Sequence, residues 1–171
     1  MQRTKIDRLL RAGIVLLTVA LVYVIYAGIH EHVVMAGDSA PDFTLTADSG
    51  QTVSLPNFKG KLLILNFWAS WCQPCIQETP SLSQLAQQFA DKGVVVLGVS
   101  VDKDQRAYSS FVQRFHPAFL TVRELKLHED FGTFMYPETY IISPEGKVLK
   151  KIAEAADWSD PQVVSYINSL L

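Results

Sequence analysis

The chain has 171 residues, of which 49% are hydrophobic, and this suffices for one domain with a full core and a short additional segment. It carries 15 Lys and Arg against 17 Asp and Glu, giving a formal net charge of −2. The sequence contains neither the basic patch that nucleic-acid binding requires nor an internal repeat. Composition therefore indicates a globular domain and excludes a nucleic-acid-binding role.

The first element is an uncharged, mostly apolar stretch over residues 12–29. As a helix it would be about 27 Å long, close to the thickness of a bilayer's hydrocarbon core. Basic residues precede it, and no Lys or Arg follows until Lys59. The positive-inside rule therefore predicts a cytoplasmic segment over 1–11, a transmembrane anchor over 12–29, a tether over 30–36 and an extracytoplasmic domain over 37–171.

A cleaved signal peptide is the alternative interpretation of this segment, with Val34-Met35-Ala36 as the candidate cleavage site. The apolar stretch is longer than the usual core of a signal peptide, which favours the uncleaved anchor. Both interpretations place the domain across the membrane from the cytoplasm, in an oxidising compartment. A cysteine pair there needs a source of electrons if it is to stay reduced.

The remaining elements predict an α/β sandwich with mixed strand directions. Short strands at 44–46 and 52–55 form a hairpin, and apolar strands at 62–68 and 94–101 flank a helix that ends near residue 90. A helix capped by Asp102 or Asp104 follows, then a short strand at 120–122 and a short helix at 125–131. A second hairpin, 139–143 and 147–152, precedes a final helix that opens at Asp160-Pro161.

The two cysteines lie in the segment Trp71-Cys72-Gln73-Pro74-Cys75, between the first apolar strand and the following helix. This position puts Cys72 at a helix N-terminus, where free N–H groups and the helix dipole stabilise a thiolate. A structural zinc site normally needs four Cys or His ligands, and the four histidines lie far away in the sequence. The pattern predicts a redox dithiol and no metal site.

The spacing also assigns roles to the active-site segment. Cys72 is the nucleophile that attacks a substrate disulfide, and Cys75, one turn inward, resolves the mixed disulfide. Pro74 fixes the backbone between them, beside Gln73, and Trp71 shields the nucleophile or contacts substrate. Glu78 follows Cys75 by three residues on the same side of the helix, so a buried carboxyl group there suits proton exchange with Cys75.

The segment 67–75, Phe-Trp-Ala-Ser-Trp-Cys-Gln-Pro-Cys, resembles the thioredoxin-fold signature. Together with Gly37-Asp38-Ser39-Ala40-Pro41-Asp42-Phe43-Thr44-Leu45 it resembles the TlpA/ResA/CcmG family of membrane-anchored thiol–disulfide oxidoreductases. The resemblance implies a thioredoxin-like fold with an N-terminal β-hairpin and a central insertion. It also implies disulfide exchange outside the membrane, commonly on apocytochrome c or copper-site cysteines.

Further site residues follow from the same resemblance. It implies a cis peptide bond at Tyr136-Pro137, whose backbone would pair with substrate next to Cys72. Glu138 matches an acidic residue of cytochrome-maturation members and would tune the thiols or select substrate. Asn66 replaces the buried aspartate of cytoplasmic thioredoxins, and Glu78 matches a glutamate of the family.

The sequence thus predicts a monomeric, membrane-tethered reductant of protein disulfides. Its electrons would come from a membrane dithiol carrier, and no cofactor is expected beyond the Cys72–Cys75 disulfide. Two alternatives stay open: a metallochaperone holding Cu(I) on Cys72 and Cys75, and a peroxiredoxin-like peroxidase. The peroxidase alternative expects Pro and Thr where this chain has Leu65 and Ala69.

Overall fold

The structure is a computed structural model that describes residues 2–29, 33–48 and 50–171. The chain divides into two units, 1–32 and 33–171. The first unit contains one helix, α1 (Gln2–Ile29), over the segment predicted as an anchor. Among the described residues no helix is both long and apolar enough to cross a membrane. The anchor over 12–29 therefore stays a prediction, and residues 30–32 of the predicted tether lie outside the described residues.

The second unit is built on a hairpin and a five-stranded sheet. The hairpin pairs β1 (Thr44–Thr46) with β2 (Thr52–Ser54) in antiparallel register. The sheet contains β3 (Leu62–Trp68), β4 (Val94–Ser100), β5 (Leu120–Arg123), β6 (Glu138–Ile142) and β7 (Val148–Ile152), in the order β5-β4-β3-β6-β7. Strands β3, β4 and β5 are parallel, whereas β6 and β7 run antiparallel to their neighbours. The predicted mixed sheet is confirmed.

Four helices complete this unit: α2 (Gln73–Phe89), α3 (Gln105–Phe115), α4 (Leu127–Asp130) and α5 (Pro161–Ser169). Asp104 caps α3 by accepting the Arg106 N–H at 2.9 Å, and Asp160 caps α5 by accepting the Gln162 N–H at 2.7 Å. Pro80 lies inside α2, which nevertheless continues to Phe89. Each helix therefore begins close to where the sequence predicts it.

The central strand β3 is buried on both faces, which fixes where its C-terminal end lies. Leu63, Leu65 and Phe67 pack into one hydrophobic cluster, and Leu62 and Ile64 pack on the opposite face against α2 and α5. Such burial accounts for the nearly continuous apolar sequence of β3. The chain leaves the sheet directly into the segment that carries the cysteines.

Trp68 ends β3 and is held by a close approach to β4. Its ring is buried and packs 4.4 Å from that of Phe111. A Cβ atom at Gly98 would lie 3.0 Å from Trp68 Nε1 and 2.8 Å from Phe119 Cε2. Gly98 therefore leaves the space that Trp68 and Phe119 need beside the cysteine-bearing segment.

Candidate active site

Cys72 and Cys75 form a disulfide bond at the junction between β3 and α2. Cys72 is the N-cap of α2, and its Sγ accepts the backbone N–H of Cys75 at 3.3 Å. Gln73 and Pro74 form the first turn of the helix, where a proline costs no hydrogen bond. The backbone N–H groups of the first helical turn have no partner within the helix. Once the disulfide opens, these N–H groups and the helix dipole stabilise a Cys72 thiolate.

The loop before β6 lies directly against Cys72. The Tyr136-Pro137 peptide bond is cis, as the family resemblance implies. The carbonyl oxygen of Tyr136 lies 3.4 Å from Cys72 Sγ. Trp71 is 67% exposed, and its ring meets that of Tyr136 edge-on at 5.9 Å. The fold therefore brings the pair Trp71-Cys72 next to the pair Tyr136-Pro137, although more than sixty residues separate the two pairs in sequence.

Glu78 is only 3% exposed, and its carboxylate accepts three hydrogen bonds. Oε1 accepts from Asn66 Nδ2 at 2.8 Å, while Oε2 accepts the Ala156 N–H at 3.1 Å and Trp158 Nε1–H at 3.4 Å. Burial raises the pKa of Glu78, and the three hydrogen bonds offset part of that rise. A carboxyl group with a raised pKa, one turn after Cys75, is suited to accept and return a proton.

A cavity open to solvent reaches Glu78 between α2 and the segment that follows β7. It has a volume of about 550 Å³ and is lined by Glu78, by Gln77, Pro80, Ser81 and Gln84 of α2, and by residues 155–157. A proton accepted by Glu78 can leave through this cavity without passing the disulfide. The arrangement thus separates the path of the proton from the surface at which Cys72 meets substrate.

Glu138 is buried at the start of β6 and forms an ion pair with Lys151 of β7. Its Oε1 lies 2.6 Å from Lys151 Nζ. Desolvation lowers the pKa of Lys151, but hydrogen bonds to Glu138 and Tyr140 outweigh it, so the net shift is upward. The charge next to the cis-proline loop is therefore compensated within the chain.

Asp102 holds the segment before the cysteines through hydrogen bonds to Ser70. Its Oδ2 accepts the Ser70 N–H at 2.8 Å, and its Oδ1 accepts the Ser70 hydroxyl at 2.7 Å. Ser100 donates a third hydrogen bond to Oδ2 at 2.7 Å. Since Ser70 lies two residues before Cys72, this buried carboxylate helps to hold the segment that carries Cys72 in place.

The sequence does not predict the roles of several of these residues. Asp102 is predicted only as an alternative cap of α3, a role that Asp104 fills; its place at the carboxyl end of a parallel strand is the signal that would have indicated a role near the site. Lys151 and Trp158 carry no such signal, because each meets its partner only through the folded sheet and the α2–α5 packing. The contacts of Asn66 explain why an amide occupies this position. Its Nδ2 donates to Glu78 Oε1 and to Thr139 Oγ1 at 2.9 Å, and the second hydrogen bond joins β3 to β6.

Among the described residues, no group of three or more His, Cys, Asp or Glu side chains is arranged to hold a metal ion. A Cu(I) site on Cys72 and Cys75 would use only two ligands, so that alternative stays open. At the two positions where a peroxidatic cysteine expects Pro and Thr, Leu65 and Ala69 are fully buried apolar residues. The hydroxyl group of that Thr is therefore missing beside Cys72, and the geometry suits disulfide exchange.

Comparison with known proteins agrees with this geometry. Residues 36–151 match the model of the AhpC/TSA family. The thiol–disulfide oxidoreductase ResA of Bacillus subtilis is 30% identical over 164 residues, which cover 93% of this chain and 90% of that protein. The thioredoxin-like protein YneN of the same organism is 36% identical over 118 residues, covering 67% and 69% respectively. The chain belongs to the AhpC/TSA family and, within it, to the ResA-like thiol–disulfide oxidoreductases.

Comparison with solved structures identifies the fold of this ResA-like chain. A protein of Chlorobium tepidum assigned as thiol:disulfide interchange protein DsbE superposes with a TM-score of 0.74 at 28% identity, covering 80% of this chain and 98% of that one. The fold is therefore the thioredoxin-like α/β fold, with a central sheet flanked by helices. The resemblance stated from the Cys72 motif is confirmed.

The chemistry of a ResA-like enzyme follows from the site. A thiolate of the Cys72–Cys75 pair attacks one sulfur of a partner disulfide, forming a mixed disulfide and releasing the other sulfur as a thiolate. The second cysteine of the pair then attacks the mixed disulfide, which restores the disulfide seen here and frees the second partner thiol. The same two steps run in reverse when the pair oxidises a dithiol.

Proposed function

We propose that the chain reduces protein disulfides outside the bacterial cytoplasmic membrane. The observation that carries this proposal is the buried Glu78 carboxylate, one turn after Cys75 and connected to solvent by its own cavity. A reductant must deprotonate its second cysteine to release the reduced substrate, and Glu78 supplies a base for that step. No cofactor beyond the cysteine pair is part of the proposal.

The substrates in this proposal are disulfides of apocytochrome c or of copper-site proteins. The family resemblance at residues 37–45 and 67–75 implies this substrate class, and the exposed Trp71, packed edge-on against the half-buried Tyr136, offers a surface for a polypeptide next to Cys72. Electrons would reach the pair from a membrane dithiol carrier, since an oxidising compartment would otherwise close the disulfide. We propose that the chain works as a monomer.

Attachment to the membrane is the other part of the proposal. Residues 12–29 contain no charged side chain, and Arg3, Lys5, Arg8 and Arg11 precede them. This charge distribution supports a single-pass anchor in the inner membrane, with residues 37–171 on the periplasmic side.

Thiol labelling in intact spheroplasts tests both parts together. The full chain contains two cysteines, so every maleimide it acquires reports on Cys72 and Cys75. We expect a membrane-impermeant maleimide to label the Cys72–Cys75 pair, first at Cys72, before any reductant is added, and the labelled chain to sediment with membranes after lysis. A variant with both cysteines changed to Ser is the control for background labelling.

The other outcomes contradict separate parts of the proposal. Thiols that become reactive only after dithiothreitol treatment would identify an oxidant. Labelling by a permeant maleimide alone would place the pair inside the cytoplasm. Recovery of the labelled chain in the supernatant would remove the membrane anchor.

A further inference from the structure

An exposed apolar surface surrounds the cis-proline loop. Phe134 is 68% exposed, Met135 65% and Met35 55%, and they lie on the same unit as the exposed Trp71. Among the described residues of 33–171, the only other large apolar side chain more than half exposed is the C-terminal Leu171. Clustered exposure of this kind marks an interaction site more often than scattered single residues do.

Three of these side chains line one groove, which we call the Phe134 groove. It has a volume of about 330 Å³ and is lined by Met35, Gly132, Phe134, Met135, Glu138, Lys151 and Ala153. Its walls are apolar, and methionine side chains adapt their shape to different apolar partners. The groove has room for a large apolar side chain that enters from solvent.

The two charged residues of the groove compensate each other. Glu138 and Lys151 form their ion pair at 2.6 Å, and Lys151 also interacts with Tyr140. A charged side chain entering the groove would lose hydration and would compete with this pair for its partners. The groove therefore favours an uncharged, apolar side chain.

The Phe134 groove lies beside the cis-proline dipeptide, because Met135 and Glu138 of its lining flank Tyr136-Pro137 in the chain. The carbonyl oxygen of Tyr136 lies 3.4 Å from Cys72 Sγ. Two residues of extended chain span at most about 7 Å. A polypeptide whose cysteine is bonded to Cys72 therefore has its neighbouring residues within reach of the cis-proline loop and of the groove beside it.

We propose that the Phe134 groove binds an apolar side chain located within two residues of the reactive cysteine of the substrate polypeptide. The inference rests on the proposed exchange at Cys72 and adds a sequence preference to it. The preferred substrate is thus a polypeptide disulfide in which one cysteine has a Leu, Met or Phe neighbour. Binding there would hold the substrate chain along Tyr136 while Cys72 attacks.

Peptide disulfides test the proposal on the reduced full chain. The probes are octapeptides with one cysteine, each bonded to glutathione, that carry Leu, Ser or Asp on both sides of the cysteine. Exchange consumes the protein dithiol and releases peptide thiol and glutathione, so that two electrons reach each peptide disulfide. Bis(2-hydroxyethyl) disulfide, which carries no peptide side chain, measures exchange that does not involve the groove.

We expect the Leu probe to react about fivefold to tenfold faster than the Ser probe, as burial of about half a Leu side chain predicts. The Asp probe should react most slowly. The double variant Phe134→Ser, Met135→Ser should lose this preference and keep its rate with bis(2-hydroxyethyl) disulfide. Leu149→Ser, an exposed apolar position on β7, should behave as the wild type.

Equal rates for the three probes, or an unchanged preference in the double variant, would overturn the groove proposal. Loss of the preference in Leu149→Ser as well would also overturn it, because the effect would not be local. Failure of the wild type to reduce bis(2-hydroxyethyl) disulfide would instead contradict the exchange chemistry of Cys72 itself. The two failures are therefore distinguishable in one set of assays.

Discussion

Replacing Cys72 by Ser is expected to abolish disulfide exchange, whereas replacing Cys75 by Ser should leave a chain that accumulates mixed disulfides. Cys72 caps the N-terminus of α2 and lies against the Tyr136 carbonyl oxygen. Cys75 lies one turn further along, and in the disulfide form it is 1% exposed against 5% for Cys72, so Cys72 is the more accessible of the two. Exchange should fall by more than about a thousandfold in Cys72→Ser. Non-reducing gels and mass spectrometry of trapped adducts measure the second effect.

The two serine variants are matched controls for each other, because each removes one sulfur and prevents the internal disulfide. If Cys72→Ser trapped partners to the same extent as Cys75→Ser, the assigned roles of the two cysteines would be contradicted. A folded Cys75→Ser chain that traps nothing in cells would show that Cys72 is not the attacking thiol. Circular dichroism establishes that either variant is folded.

Glu78→Gln is expected to slow exchange about a hundredfold near neutral pH, the lower end of the range lost with a general base. Burial raises the pKa of Glu78, so the wild-type carboxyl group is protonated at a higher pH than an exposed glutamate. A protonated Glu78 cannot accept the Cys75 proton, and the wild-type rate should fall as the pH is lowered through that pKa. In Glu78→Gln this part of the pH dependence should be absent. Stopped-flow rates with a disulfide substrate across the pH range measure it.

Asp157→Asn is the matched control for Glu78. Asp157 lines the same cavity but is exposed, and hydrogen bonds from Ser159 lower its pKa. The neutral Asn should leave both the rate and its pH profile unchanged. Equal effects of the two substitutions would mean that general negative charge, rather than the buried base, controls exchange. An unchanged rate in folded Glu78→Gln would return Glu78 to a structural role.

Local sequence signals were sufficient for the elements and for the centre of the site. The apolar run of β3, the cysteine spacing and the capping residues Asp104 and Asp160 each act over a few residues, and the structure places them as predicted. The cis bond at Tyr136-Pro137 came from the family resemblance, since no local preference in this sequence selects it. The structure confirms this bond, so similarity to a family motif predicted a backbone feature that hydrophobic periodicity could not.

The environment of the site depends on contacts between distant segments, and the sequence could not supply it. Glu78 is held by Asn66 on β3 and by Ala156 and Trp158 after β7. The partner of Glu138 is Lys151 on the neighbouring strand, in a register that pairs Tyr140 with Lys151. Such partners follow from strand register and helix packing, which a one-dimensional pattern does not encode.

The reduction potential of the purified full chain is the measurement that tests the account most directly. Equilibration of the Cys72–Cys75 pair against glutathione and dithiothreitol buffers gives the value from the fraction of disulfide at each ratio. A ResA-like reductant should have a potential of about −220 mV or lower. A potential near about −120 mV would identify an oxidant and contradict the proposed direction of electron flow. The absence of any reversible two-electron couple would contradict the redox function itself.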